Sequence, residues 1–228
     1  MPSLSIVATP IGNLSDITFR AVETLRNADV VVCEDTRVTR KLLAHYGIMT
    51  PVESFHAHSD ERKIQRIVGM LREGKKVALV SDAGTPLISD PGNVLIDAVQ
   101  RAISDVHITP IPGPSALTAC LSVSPFSVDK FLFLGFLPRK NKRIKTFAAI
   151  KESTVPVAFY ESPQRIEKTM QQLVALYNEE PQKDFSLIVA KELTKLHETI
   201  LYSTKETVCA DLGHIAVKGE FVVVLKNI

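Results

Sequence analysis

Five short apolar runs in the first half of the chain, Leu4–Ala8, Val30–Cys33, Val52–Phe55, Lys76–Val80 and Ile108–Ile111, each end in a loop rich in Gly, Pro, Ser, Thr, Asp or His. A helical pattern follows each loop. Strands alternating with helices over some 120 residues mean βαβ units and a parallel sheet covered on both faces. The fourth run feeds the most constrained loop, SDAGTPLISDPG (81–92). Gly84 and Gly92 permit close backbone approach or positive φ, and Pro86 and Pro91 stiffen the path. Asp82 and Asp90 add fixed acceptors. An ordinary strand-to-helix turn needs only a few such residues, so this segment is expected to hold a ligand at the carboxyl edge of the sheet.

The other loops have the same position and chemistry. Thr9-Pro10-Ile11-Gly12-Asn13 leads to Ser15-Asp16, a plausible cap for a helix over 17–26. Glu34-Asp35-Thr36-Arg37 precedes a helix stopped at Gly47. His56 and His58 precede a helix from Ser59 or Asp60 to Arg72, and Pro112-Gly113-Pro114-Ser115 precedes a helix of small residues. A doubly wound domain gathers all of these at one edge. None is a Walker loop or a dinucleotide fingerprint. Backbone amides and a few acceptors suit adenine, ribose hydroxyls and an amino-acid tail better than phosphates.

The pattern changes near 124–130. Strands at about 131–137, 156–161, 185–190, 197–202 and 220–225 lie closer together, which predicts a mixed sheet with antiparallel pairs. The expected architecture is therefore α/β throughout. It has two domains, 1–120 with a mostly parallel sheet and 121–228 with a mixed one, and a cleft between them.

The 228 residues suffice for a substantial core, and the formal charge of +2 leaves nucleic-acid binding to a local patch. Cys33, Cys120 and Cys209 are odd in number, widely spaced and flanked by apolar residues. They read as buried thiols in a reducing compartment rather than as disulfides or metal ligands. No run has the length of a membrane span and the amino end lacks a signal-peptide pattern, so a cytoplasmic protein without membrane association is expected. His56 and His58 lack a third ligand nearby, and no metal is expected.

Several residues admit two readings. Glu34 and Asp35 either accept a proton or hydrogen-bond a ribose, or Asp35 or Thr36 merely caps the next helix. Lys191 beside Glu192 is either an activated amine or half of an ion pair. Arg37, Arg40 and the run RKNKRIK (139–145), with Arg139, Lys140, Lys142 and Arg143, are either phosphate contacts or solvated surface. Phe131, Phe133 and Phe136 read as core aromatics.

Eight segments in order, TPIGNLSDIT (9–18), EDTR (34–37), SDAGTPLISDPG (81–92), PGPSA (112–116), GFLPRK (135–140), FYESPQR (159–165), AKELTKLHET (190–199) and KGEFVVVL (218–225), give the chain a specific likeness. It resembles the tetrapyrrole-methylase-like class of S-adenosylmethionine (SAM) methyltransferases, and within that class the branch that modifies ribosomal RNA. Ser81-Asp82-Ala83 stands where the tetrapyrrole enzymes have Gly-Asp-Pro, which favours the RNA branch. The resemblance implies two α/β domains with SAM in the cleft between them. It also implies methylation of a cytidine ribose 2′-hydroxyl in the decoding region of 16S rRNA within the small ribosomal subunit, and a homodimer. It assigns Pro10, Ile11, Gly12, Asp82, Gly84, Thr85, Ser115, Ala116, Tyr160, Ala190 and Glu220 to the cofactor. Glu34, Asp35, Lys191 and Glu192 become catalytic candidates, and the arginines and lysines above RNA contacts. Members of the resembled family usually continue past the last strand into a helical extension, whereas this chain stops at Ile228; if such an extension helps dock RNA, docking here is expected to be met otherwise or to be weaker. The alternatives are a C-methyltransferase of a small tetrapyrrole and a non-catalytic SAM- or RNA-binding module.

Overall fold

The structure, a computed structural model, describes residues 2–56, 61–89, 92–140 and 142–228. His58, the expected helix start at Ser59 or Asp60, and Asp90 and Pro91 lie outside them, as does Asn141 of the basic run. The chain divides into two compact units, Met1–Ser115 and Ala116–Ile228. The division falls ahead of the helix Ala116–Ser122, whereas a boundary at 120/121 would cut that helix.

In the first unit β1 (Ser3–Val7), β2 (Val30–Cys33), β3 (Val52–Ser54), β4 (Lys76–Leu79) and β5 (His107–Ile111) form a parallel sheet in the order β3-β2-β4-β1-β5. The helices between them are α1 (Phe19–Asn27), α2 (Thr36–His45), α3 (Glu61–Arg72) and α4 (Asn93–Ala102). Alternation along the strands splits the core in two. Leu4, Ile6, Val30, Val32, Val77 and Leu79 face Ile64, Ile67, Leu71, Leu95 and Val99 of α3 and α4. Val7, Val31, Cys33, Ala78 and Val80 face Ala21, Leu25 and Leu43 of α1 and α2. Period-2 burial on both faces is why these runs read as continuously apolar.

The sequence placed the first cap at Ser15-Asp16. A short 3-10 turn, Leu14–Asp16, occupies that place instead, held by Asn13, whose side chain accepts from the Ser15 N–H. Thr18 caps α1 by accepting from the Ala21 N–H, so the helix begins two residues later than expected. Both segments carry cap-type residues, and their spacing does not say which one the helix uses.

The second unit contains α5 (Ala116–Ser122), β6 (Leu132–Phe136), α6 (Arg143–Lys151), β7 (Val157–Glu161), α7 (Ile166–Asn178), β8 (Phe185–Lys191), β9 (Thr199–Thr204), α8 (Val208–Gly213) and β10 (Phe221–Asn227). Its sheet order is β6-β7-β10-β8-β9, with β6 and β7 parallel and the remaining pairs antiparallel. Phe159, Val189, Phe221, Val223 and Leu225 pack on one face with Phe147, Ile166, Leu173 and Leu212 of α6, α7 and α8. Helix α5 packs on the strand β10. Strand β9 continues to Thr204, beyond the expected end near 202, and α8 is correspondingly short.

Two expectations about buried residues fail. Cys33 and Cys120 are buried, but Cys209 is exposed, since α8 turns Val208 and Leu212 to the core and Cys209 away from it. Phe131 and Phe136 are exposed rather than core, and Phe133 is half-buried.

At the end of β7 the fully buried Glu161 carboxylate accepts from Arg165 Nε (2.7 Å), Thr169 Oγ1 (2.7 Å) and the Ser162 N–H (2.8 Å). Arg165 Nη1 donates to the Leu137 carbonyl (3.0 Å) and Arg143 Nη1 to that of Pro138 (3.2 Å). A single buried carboxylate thus ties β7, α7 and the segment after β6 together. Removing one partner of such a network strands charge in a poorly solvated place. Glu161→Ala is expected to lower the unfolding free energy by about 3 kcal/mol, measured by urea denaturation, with Glu161→Gln losing less.

Candidate functional site

The site begins with the path of the chain. Among β1, β2 and β4, only β4 sends its chain to the α3/α4 face; β1 and β2 lead to α1 and α2 on the other. Where neighbouring connections leave in opposite directions, a crevice opens outside the carboxyl ends of the strands. Here that crevice is a cavity of about 300 Å³, lined by Thr9, Pro10, Gly12, Val38, Leu42, Ser81 and Asp82 among others. Its size falls at the lower end of the range for small-molecule sites.

Hydrogen bonds stitch the loops around it. The N–H of Thr9 donates to the carbonyl of Gly84 (2.9 Å) and the N–H of Gly84 to that of Thr9 (3.0 Å), a two-residue antiparallel bridge between loops that follow parallel strands. Thr9 Oγ1 donates to the Ser81 carbonyl (3.2 Å), and Ser81 Oγ to the carbonyls of Ala83 (3.2 Å) and Gly84 (3.3 Å). Thr85 Oγ1 reaches the Pro114 carbonyl (3.1 Å), joining the loop after β5. The Asp35 N–H donates to Asp82 Oδ1 (2.9 Å), joining the loop after β2. Gly84 sits at φ +78°, a conformation that favours glycine, and a Cβ there would lie a tight 3.3 Å from Ile11 Cγ2.

Of the residues assigned to the cofactor, Pro10, Gly12 and Asp82 line the cavity. Ile11 is buried and packs against Gly84, so its contribution is support. Thr85 is engaged by Pro114, and Ser115 ends the first unit. Thr9 and Ser81 were missed as lining residues; a buried hydroxyl at a strand end was the available signal.

The two readings of Asp35 resolve toward the cap. Its side chain accepts from the Arg37 N–H (2.8 Å) at the start of α2 and pairs with the Arg37 guanidinium (2.6 Å). Hydrogen bonds from Arg37 hold the carboxyl down at about 2, far too acidic for a general base. Glu34 is exposed at the same edge, as are Arg37 and Arg40.

The remaining candidates lie in the second unit. Tyr160 and Ala190 pair with the same β10 residue, Val222, which puts them on one face of the sheet. Ala190 is fully buried, and Tyr160 meets Phe133 edge-on with ring centroids 5.1 Å apart. Ala116 opens α5. The expected Lys191–Glu192 pair is not formed; Glu192 Oε1 accepts from Lys195 Nζ instead (2.8 Å). Glu192, at φ +51°, leaves the strand in a left-handed turn that carries Lys195 back over it. Desolvation raises the Glu192 carboxyl, but the hydrogen bonds from Lys195 and the Glu220 N–H outweigh it and hold the group below the usual range. Glu220, assigned to the cofactor, has an exposed carboxylate that accepts from Lys195 (2.9 Å). Glu192 and Glu220 therefore shape the turn. Lys191 is only 6 % exposed, and among the described residues its amine has no hydrogen bond or ion pair.

Arg139, Lys140 and Lys142 are exposed. Arg143 is not available to RNA: its guanidinium bonds Gln172, Thr169 and the Pro138 carbonyl and lies 4.6 Å from the centre of the Phe147 ring. A charge run read from sequence does not distinguish a residue turned inward by the first turn of α6. No group of three His, Cys, Asp or Glu among the described residues is placed to hold a metal, and no helix among them is long and apolar enough to cross a membrane.

This two-sheet architecture, with its ligand-type loops, defines a class. The family model of tetrapyrrole (corrin/porphyrin) methylases matches residues 3–209. Solved structures agree on the fold: cobalt precorrin-4 methyltransferase (TM-score 0.72, 18 % identity, 98 % of this chain and 94 % of that one) and diphthine synthase (0.72, 17 %, 98 % and 90 %). Curated relatives named ribosomal RNA small subunit methyltransferase I are far more similar. The Thermotoga maritima protein is 42 % identical, covering 100 % of this chain and 99 % of its own. The Synechocystis protein is 43 % identical (99 % and 79 %) and that of Bacillus subtilis 37 % (100 % and 76 %). The chain belongs to the tetrapyrrole methylases and, within them, to the ribosomal RNA small subunit methyltransferase I family.

Two outcomes follow from the loop geometry. Gly84→Ala is expected to destabilise the first unit by about 1–2 kcal/mol, the cost of a side chain in a left-handed conformation, read by thermal or urea unfolding. The Asp35 carboxyl lies below its ordinary value of 3.8 in the fold, so its ionised form favours folding above about pH 4 and that contribution is lost as pH falls through about 2. A carboxyl NMR titration should place Asp35 near 2, and Asp35→Asn should flatten the acid limb of the stability curve in that window.

Proposed function

We propose that the chain methylates 16S rRNA in the small ribosomal subunit, with SAM as donor and the 2′-hydroxyl of a cytidine in the decoding region as acceptor. The observation that carries this reading is full-length similarity, at 37–43 %, to relatives named for small-subunit rRNA methylation. The tetrapyrrole enzymes are alike at fold level only, at 18 % identity.

The stitched cavity fits such a donor. Its one lining lysine, Lys41, is carried by α2 rather than by a glycine-rich phosphate loop, and its Gly12 edge and Asp82 carboxylate suit a ribose and an amino-acid tail. Pro10, Gly12, Asp82 and Ser115 are the residues of the first unit that we assign to it, and the motif likeness adds Ala116, Tyr160 and Ala190 of the second. When bound, SAM supplies a methyl group already activated by its sulfonium. The protein's task is then to orient an oxygen nucleophile and accept its proton. Glu34 is the carboxylate left for that role, since Asp35 is committed to α2 and Glu192 to Lys195. Lys191, 6 % exposed as a residue and without an intramolecular hydrogen bond or ion pair among the described residues, orients a substrate oxygen through its amine. Arg37, Arg40, Arg139, Lys140 and Lys142 contact phosphates. A homodimer and a cytoplasmic setting complete the proposal; three free cysteines support the latter.

Incubation of the purified protein with methyl-labelled SAM and unmodified 30S subunits should place label on a cytidine ribose. Label on a base only, or on a tetrapyrrole only, would reject the reading. Asp82→Ala is expected to weaken SAM binding roughly five- to ten-fold, the effect of one lost hydrogen bond, by calorimetry. Glu34→Gln should depress turnover while leaving that binding intact; unchanged turnover would remove Glu34 from the chemistry.

A further inference from the structure

Phe136 is a large aromatic residue at the end of the edge strand β6, yet it is 59 % exposed. Its placement is built. In the β6–β7 register Phe133 pairs with Ala158, but Phe136 rather than residue 135 pairs with Tyr160, so one extra residue is inserted between them. Gly135 makes the insertion at φ +60°. Without the bulge Phe136 would pair with Glu161, on the helix-covered face. With it, Phe136 shares the face of Tyr160, their ring centroids 5.5 Å apart. Bulges re-aim side chains beside functional sites.

The backbone that follows is equally fixed. The carbonyls of Leu137 and Pro138 are held by Arg165 and Arg143, and both arginines are anchored near buried Glu161. Directly beyond come the exposed cations Arg139, Lys140, Lys142 and Lys145. An exposed ring backed by a second ring, on a clamped backbone beside exposed positive charge, has the composition of a surface that stacks a base while cations track the phosphates. An apolar protein partner would not use those charges.

We infer that Phe136 is a stacking platform for an unpaired base of the RNA substrate. This rests on the RNA-substrate reading above and extends it to a residue that positions the strand. The test compares Phe136→Ala, Phe136→Leu and Phe136→Trp in the full chain, using unmodified 30S subunits as probe and SAM affinity as a separate readout. Phe136→Ala and Phe136→Leu should raise the KM for 30S subunits about ten-fold or more, in the range of a lost base–aromatic stack. Phe136→Trp should restore it, and SAM affinity should stay unchanged in all three. Unchanged KM in Phe136→Ala, an equal loss in Phe136→Trp, or a parallel loss of SAM affinity would overturn the platform while leaving the RNA reading in place. A wild-type protein that binds SAM but neither binds nor methylates 30S subunits would overturn both.

Discussion

The first unit depends on the reciprocal hydrogen bonds between Thr9 and Gly84. Parallel strands leave their carboxyl-end loops without partners, because the ladder ends where the chain turns toward a helix. The Thr9–Gly84 pair continues it for one step in the antiparallel sense, satisfying two donors and two acceptors that would otherwise need water. Once the loops after β1 and β4 are joined, Ser81 braces its own loop, and Thr85 and Asp82 can reach the neighbouring loops. The cavity lies where this stitched edge meets α2. Its loop side is formed by Thr9, Pro10, Gly12, Ser81 and Asp82, and α2 contributes Val38, Thr39, Lys41 and Leu42.

The second unit solves a similar problem with charge. Glu161 is buried at the end of β7 and gathers Arg165, Thr169 and Ser162, with Arg143 at 3.8 Å. A buried carboxylate is costly alone and tolerable when its lone pairs are filled and opposite charges lie beside it. What the arrangement contributes is specificity of position, because each arginine also donates to a main-chain carbonyl after β6. The turn after β8 is built likewise, with Lys195 bridging Glu192 and Glu220 over a left-handed backbone. Conserving such geometry consumes charged residues that a linear reading assigns to chemistry.

The alternation of apolar runs and loops made the parallel sheet, its two helix layers and the mixed second sheet legible, since burial period and turn chemistry are local properties. The ligand loops were legible for the same reason: glycine, proline and short acceptors at strand ends have few other uses. Element starts were less so, because Asn13 and Thr18 are both cap-type residues and packing of α1 decides between them.

By itself, then, the sequence determined the fold class, the edge at which loops gather and, through its motifs, the family. Only the tertiary structure decided which charged and aromatic residues are free to act. Asp35, Glu192 and Arg143 are drawn into pairs with Arg37, Lys195 and Thr169 or Gln172, and Phe136 is turned outward by one inserted residue. Local pattern sets what a segment becomes. The partner a side chain meets depends on distances that close only when distant strands fall into register.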